Sequence, residues 1–516
     1  MSRFARQARL LPLFAIAAGT VSLALQSQGR EAIANASPVG RVNAGQYKGI
    51  RLQHAFATDT IGRPEIIPIA LSPNTPDEAM AAQLTSATPG PSPTGIDTAA
   101  NVKTFGAIGD GKTNDTAAFN AALTSLATRG GVCLVPTGTY LISAAGIAAD
   151  VSSGVHFVGE GRGQSILKIA GMPVGPRSFL TCVGDNWSVQ NLTFDMQGFV
   201  PSVNLSAMSC KGNNWIVENC EFTRIGVTGI AAFGGKGWSV KGNYFSTNNK
   251  ASPTAISSAP LQPVGKPVDP VVNARILDNV CEGAGISFNG RHSLISRNRV
   301  SGSVYGSGIL TGTQPGTDAA YVIENTCTGG HGRDANKTWV TGFELWAPNS
   351  VVANNTSSGN DGGGMAVGGR NSIVIGNRCF NNGAGQQSSG ITARWLNNGP
   401  NNASGSMFLG NVCFDDRPAG HKTQGYGYSE QGNAEPSSPL LTHITHIGNN
   451  YGPNKLGKDK YNSAFGDRNV SKTEVSPATL ARVESKIRDK VKAITDTGDG
   501  DMSDTASRPL REYLRR

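Results

Sequence analysis

Between residues 330 and 424 the chain sets His331, Asp361, Asp415, Asp416 and Lys422 in Gly- and Asn-rich stretches. Arg333, Glu344, Trp346 and Arg394 lie among them. Two carboxylates about 5 to 9.5 Å apart can protonate a glycosidic oxygen and activate water or form a covalent intermediate. Glu344 with Asp361, or either with Asp416, supplies such a pair. A different chemistry needs a cation that neutralises a sugar carboxylate and a base that takes the adjacent proton. Arg394, Arg333 or Lys422 fits the cation. His331, Tyr426 or a neighbouring lysine fits the base. An epimerisation would use similar groups. Trp346 suits stacking on a sugar ring, and Asn289 lies outward on the same wall. Each residue also has a plainer reading: His331 is a surface-loop histidine, Asp361 a turn former before three glycines, and Asp415-Asp416 a turn pair.

These residues must be held by something periodic, and the chain supplies it from about Asp185 to Tyr451. One motif of an apolar residue, any residue, then Asn recurs: Val189-Gln190-Asn191, Val217-Glu218-Asn219, Leu277-Asp278-Asn279, Ile323-Glu324-Asn325, Val352-Ala353-Asn354, Ile375-Gly376-Asn377, Leu409-Gly410-Asn411 and Ile447-Gly448-Asn449. Ser296-Arg297-Asn298 and Val240-Lys241-Gly242, followed by Asn243, are variants, and the copies are 19 to 38 residues apart. Self-similarity at such a period means stacked supersecondary units. Apolar residues two before and often two after the Asn read as strands with one buried face. Asn suits the bend between them, and stacked copies place amide on amide. Short strand, Asn bend, short strand is the pattern of a parallel β-helix.

A second ladder follows in each unit, a Gly followed by alternating residues, as in Gly285-Ile286-Ser287-Phe288-Asn289, Gly342-Phe343-Glu344-Leu345-Trp346 and Gly390-Ile391-Thr392-Ala393-Arg394. The first and third residues past the Gly face the core. The second and fourth face out, which puts Ser287, Asn289, Glu344, Trp346, Thr392, Arg394 and Ser429 on one wall. Four connections enter this ladder from the same edge, at residues 330–334, 359–363, 381–389 and 415–424. With strands about 4.8 Å apart, they converge within roughly 15 Å.

The chain has 516 residues, 38% of them hydrophobic, which is enough for a large core. Its 66 glycines and 7% aromatic content fit many tight turns rather than layered helices. Residues 1–36 read as an export signal: Arg3, Arg6 and Arg9, then an apolar run from Leu10 to Leu25, then Ala34-Asn35-Ala36. The expected location is therefore periplasmic or secreted, with no stable membrane span once the signal is cleaved. No block of basic residues interleaves with aromatics, which argues against nucleic-acid binding. The net charge of +9 suits an acidic polymer but also simple solubility. Of the eight cysteines, Cys281, Cys327, Cys379 and Cys413 share one repeat position and read as an inward stack, with no zinc-like spacing.

Residues 37–100 form a lead-in, with Ile66 to Leu71 a possible strand and Thr85 to Thr98 a Ser/Thr/Pro-rich linker. At Val102 the signal sharpens to a strand, a Gly/Asp turn, a helix over Thr116 to Thr128 with Asn114 and Asp115 as caps, and two strands. That helix can cover the open end of the solenoid. The string FGAIGDGKTNDTAAFNAAL followed by GGVCLVPTGTYLI, within Val102 to Ile142, resembles the start of the pectate-lyase-like superfamily domain of rhamnogalacturonase-like and epimerase-like proteins and phage tailspikes. The resemblance implies an all-β, right-handed parallel β-helix over residues 101–455 that acts on, or binds, a polysaccharide. The tailspike likeness makes a homotrimer one assembly to test. Gly330-His331-Gly332 resembles a polygalacturonase motif, but the other parts of that family's pattern are missing, so its active site is not carried over. A calcium-assisted lyase would draw on Asp361 and Asp415-Asp416; the cofactor is otherwise unspecified, and no resident metal site is read.

In the segment 456–516, Ser476-Pro477 starts a helix whose Leu480, Val483, Ile487, Val491 and Ile494 share a face. It is expected on the C-terminal end of the solenoid, and Thr495 to Arg516 is expected to be disordered. Two readings follow. One is an exported enzyme that cleaves a uronic-acid-containing polysaccharide by β-elimination or hydrolysis. The other is a non-catalytic polysaccharide-binding or surface-structural protein.

Overall fold

The computed structural model describes residues 54–58, 64–68, 99–172, 178–199, 206–247, 254–259, 271–304, 306–314, 316–332, 340–383, 388–394, 402–431, 441, 443–460, 468–470, 477–496 and 500–515. The expected export signal and the Ser/Thr/Pro-rich linker lie outside the described residues. Pro64–Pro68, which overlaps the expected strand only at Ile66 to Pro68, pairs antiparallel with His54–Thr58.

From Ala99 onward the chain winds through three parallel sheets of 14, 12 and 11 strands, called here sheets 1, 2 and 3. Each coil adds one short strand to each sheet, and the result is a right-handed parallel β-helix. Right-handed twist favours that hand for parallel crossovers. Inward side chains stack on their counterparts one coil away. Trp187, Trp215 and Trp238 stack at 4.9 and 4.6 Å, and Phe194, Phe222 and Phe245 at 4.9 Å each. Cys281, Cys327, Cys379 and Cys413 fall in one inward row with Val300 and Ser357 between them. All eight cysteines are buried and free.

The bend between sheets 1 and 2 is an amide ladder. Asn243, Asn279, Asn298, Asn325, Asn355, Asn377 and Asn411 each pass an Nδ2–H to the next Oδ1 at 2.9–3.0 Å, and the ladder ends at Asn449. The sequence register is off by one in three copies. Asn191, Asn219 and Asn354 occupy the preceding position, whose backbone is left-handed (φ 58, 50 and 54°), and Leu192, Cys220 and Asn355 stand at the ladder site. Asn is favoured at both positions, by its amide at one and its tolerance of positive φ at the other, so spacing alone does not separate them.

The N-terminal end is closed by α1 (Thr116–Leu126), which buries Phe119, Ala122, Leu123 and Leu126. Phe119 meets Tyr140 and Phe157 edge to face. Asn114 caps its first turn through Thr116. Asp115 is not a side-chain cap; its carboxylate accepts the N–H groups of Ile108 and Gly109 and closes the preceding loop.

The C-terminal segment differs from expectation. Pro477–Thr495 forms α2, and Gly500–Arg515, expected to lack structure, forms a second helix, α3. The two lie on the outer face of sheet 1. Val483, Ile487, Ile494, Met502, Ala506 and Leu510 are buried against Leu277, Tyr321, Ile323, Ile375, Met407 and Leu409. Arg508 pairs with Glu324 at the same junction. Leu277, Ile323, Ile375 and Leu409 are residues that the motif read as inward-facing. They point outward, and the helices cover them.

Candidate active site

The turns between sheets 2 and 3 carry His331, Asp361, Asp415, Asp416 and Lys422. They leave Thr326–Thr328, Thr356–Ser358, Arg378–Phe380 and Val412–Phe414 and enter sheet 3 at Thr341–Leu345, Met365–Val367, Ser389–Arg394 and Tyr426–Gln431. A second amide ladder, unread in the sequence, runs beneath these turns. Asn360 donates to Asn382 Oδ1 at 3.0 Å, Asn382 to Gln424 Oε1 at 3.2 Å, and Gln424 to Asn454 Oδ1 at 2.8 Å. Its signal was present in the 22-residue spacing of Asn360 and Asn382, equal to that of Asn355 and Asn377.

The ladder fixes Asp361, and Asp361 fixes His331. Gly330 donates its N–H to Asn360 Oδ1 at 2.9 Å, and Gly332 donates to Asp361 Oδ2 at 3.0 Å. The other carboxylate oxygen of Asp361 lies 3.2 Å from His331 Nδ1. Two turns one coil apart are thus joined around the imidazole. The His331 side chain is 67% exposed and Asp361 only 21%. With Nδ1 as donor to the carboxylate, Nε2 is left as the basic nitrogen.

The other expected residues divide. Asp416 is exposed, and Asn381 donates to it at 2.8 Å and accepts its N–H at 3.2 Å, so it pins neighbouring turns together. Asp415 is buried and chelated by Arg417 at 2.8 and 2.6 Å, with N–H bonds from Thr423 and Gln424. Burial pushes its carboxyl up, but the guanidinium and the three backbone donors outweigh that and hold it at about 2. Lys422 directs its ammonium to the Asp415 carbonyl. Among the described residues no cluster of three or more His, Cys, Asp or Glu is placed to hold a metal ion.

On sheet 3 the alternation is as read: Phe343, Leu345, Ile391 and Ala393 are buried inward. Glu344 is half-buried in the outward row, between Leu310 and Ala366. Arg394 is two coils further and two residues along, roughly 12 Å away by strand geometry. Among the described residues no hydrogen bond or ion pair joins Glu344 to Asp361, Asp416 or Arg394. Trp346, expected as an exposed platform, is 5% exposed and lies over Gly368, where a Cβ would sit 2.0 Å from the ring. Asn289 is buried too, bonded to Ser258, Thr313 and Gln314. Arg333 lies outside the described residues.

Residues 99–180 match the family model described as rhamnogalacturonase A/epimerase, pectate lyase-like. The mannuronan C5-epimerase AlgE4 of Azotobacter vinelandii is 40% identical over 74 residues, which is 13% of this chain and 13% of that protein. Alginate lyase 7 of the same organism is 42% identical over 74 residues, covering 13% and 9%. Matches to the curated relatives span only 4–13% of their lengths. Among solved structures, the AlgE4 A-module superposes with a TM-score of 0.56 at 15% identity, over 72% of this chain and all of that one. PfbA, a surface adhesin of Streptococcus pneumoniae, gives 0.50 at 16%, over 70% and 93%. One fold therefore serves an epimerase module and an adhesin, and the fold does not choose between the two readings. Residues 99–180, the end that carries α1, thus match a pectate-lyase-like family, and the coils beyond them continue one right-handed parallel β-helix.

Proposed function

We propose that this is an exported, carbohydrate-active enzyme, periplasmic or secreted, that removes the C5 proton of a uronic acid residue within an acidic polysaccharide. The observation that carries the proposal is the His331–Asp361 pair, a base held by a carboxylate on an exposed turn. Asp361 accepts the Nδ1–H and steadies the imidazolium that forms when Nε2 takes the proton. The electron pair left at C5 delocalises into the substrate carboxylate. It then either expels the O4 substituent, forming a C4=C5 double bond, or is reprotonated from the opposite face. The first outcome is β-elimination and the second is epimerisation. A cation must meet the substrate carboxylate, and Arg394 and Arg333 are the candidates, since Lys422 is directed to a backbone carbonyl. Proton abstraction is favoured over hydrolysis because Asp361 is engaged with His331, and Asp416 with Asn381. The mannuronan epimerases and the alginate lyase among the relatives support the same chemistry by their names.

The test is incubation in deuterium oxide with a panel of polyuronates, with C5 deuterium read by NMR and unsaturated uronate by ultraviolet absorbance. Whichever of the two signals appears should fall by at least about 100-fold in His331→Gln and in Asp361→Asn. New reducing ends with neither C5 deuterium nor unsaturated uronate, abolished by Glu344→Gln, would make the protein a hydrolase. Binding with neither signal would leave a polysaccharide-binding solenoid.

A further inference from the structure

The outward face of sheet 2 runs directly into the turns that hold His331 and Asp361. One of its rows reads Ser301, Thr328, Ser358, Phe380, Phe414 on successive coils. Three small hydroxyl residues give way to two phenyl rings. The rings stack at 5.5 Å with planes 9° apart, and both are half-exposed. In the adjacent outward row, next to Thr356, stands the exposed Arg378, whose guanidinium carbon lies 5.1 Å from the Phe380 ring centre and 5.2 Å from that of Phe414. The reciprocal Asn381–Asp416 bonds lock the two strands together just beyond the rings. The aromatic surface is therefore rigid and carries a fixed positive charge.

Its position is set by the register. Thr328 and Ser358 lead into the turns bearing His331 and Asp361. Phe380 is one coil beyond Asp361 and Phe414 two, roughly 5 and 10 Å along the axis. A (1→4)-linked pyranose advances by about one strand spacing, so a chain lying parallel to the axis offers about one sugar to each coil. We infer that Arg378, Phe380 and Phe414 form the subsite for the uronate residues next to the one at His331. The phenyl rings take the apolar face of the sugar and the guanidinium takes its carboxylate. This rests on the uronan reading given above. Phenyl rings among Ser and Thr on an outward face are unfavourable unless covered, and a guanidinium over them selects an anionic ring over a neutral one. One charge opposes it: the exposed Asp416, two residues past Phe414, so Asp416→Asn should tighten binding.

Calorimetric titration in the His331→Gln background, where bound chains should not turn over, tests the inference. The probes are size-defined oligomannuronate and oligogalacturonate, with an oligoglucoside of the same length as the neutral control. Phe380→Ala combined with Phe414→Ala should raise the Kd for at least one oligouronate about three- to tenfold. Arg378→Gln should do so for the oligouronate alone and flatten its salt dependence. An unchanged Kd with a lowered Tm would reduce the rings to strand packing and overturn the subsite. Failure of the His331→Gln protein to bind any oligouronate overturns it as well. Weakened binding in the ring variants, with undiminished turnover by His331→Gln, would keep the subsite and discard the base.

Discussion

At the scale of single residues, the two aspartates next to each other at 415 and 416 do different work. Asp415 is sealed under its loop by Arg417, and Asp416 stands in solvent. Because the Asp415 carboxyl is held at about 2, below its usual 3.8, its contribution to stability is complete above about pH 4 and is lost as pH falls toward about 2. That contribution is about 2 kcal/mol. The Tm of the wild type should drop more steeply across that interval than the Tm of Asp415→Asn, which should be lower at neutral pH. From the sequence, the pair read as a turn or as catalytic acids, because neighbouring acids look alike until the partner of each is known. His331 and Asp361 were legible as residue types. Their pairing was not, since it depends on which two turns stack.

Among the elements, the amide ladder is where the register can be tested. Asn355 accepts the backbone and side-chain N–H groups of Asn325 and donates to Val322 and Asn377. Replacing it with Ala strands the two buried donors of Asn325 and leaves the Val322 carbonyl and Asn377 Oδ1 without its amide N–H, and should cost about 3 kcal/mol. Asn354, exposed at the left-handed position, should cost only about 1 kcal/mol when made Ala. Denaturant titration of the two variants separates them; equal losses would contradict the ladder. The existence of the ladder was readable because eight successive coils, from Asn243 to Asn449, repeat it. Trp346 shows the opposite limit. Alternation along a strand tells which face a side chain takes, but not what lies over that face, and beyond Glu344 the neighbouring outward row is itself buried: Ala366, Thr392 and Ser429 are only 1 to 4% exposed.

At the scale of the molecule, two faces have different roles. Sheet 1 is covered by α2 and α3, and sheet 2 leads into the candidate site. Removing residues 477–516 should uncover Tyr321, Ile323 and Leu409, lower the Tm and induce binding of a hydrophobic dye. Oligouronate binding in the same protein should persist, since the helices pack on sheet 1 and the subsite residues lie on sheet 2. The amphipathic face of α2 was evident from Val483, Ile487 and Ile494. Its docking place was not, because apolar residues on the outer face of a strand look the same as apolar residues of the core. The second helix was missed for a related reason: its apolar residues are few and separated by polar ones, and Pro509 lies within it.

The row of Cys281, Cys327, Cys379 and Cys413 has a use that packing does not exhaust. Burial holds the thiols of Cys281, Cys327 and Cys413 well above their ordinary titration range, so none reacts while its coil is closed. The four sit at successive stations along the solenoid axis, and each becomes accessible only when its own coil opens. A stack of coils that contact only their neighbours can unravel from one end. Timed alkylation followed by peptide mapping would read these thiols as mileposts, with the order of modification giving the direction in which the molecule comes apart.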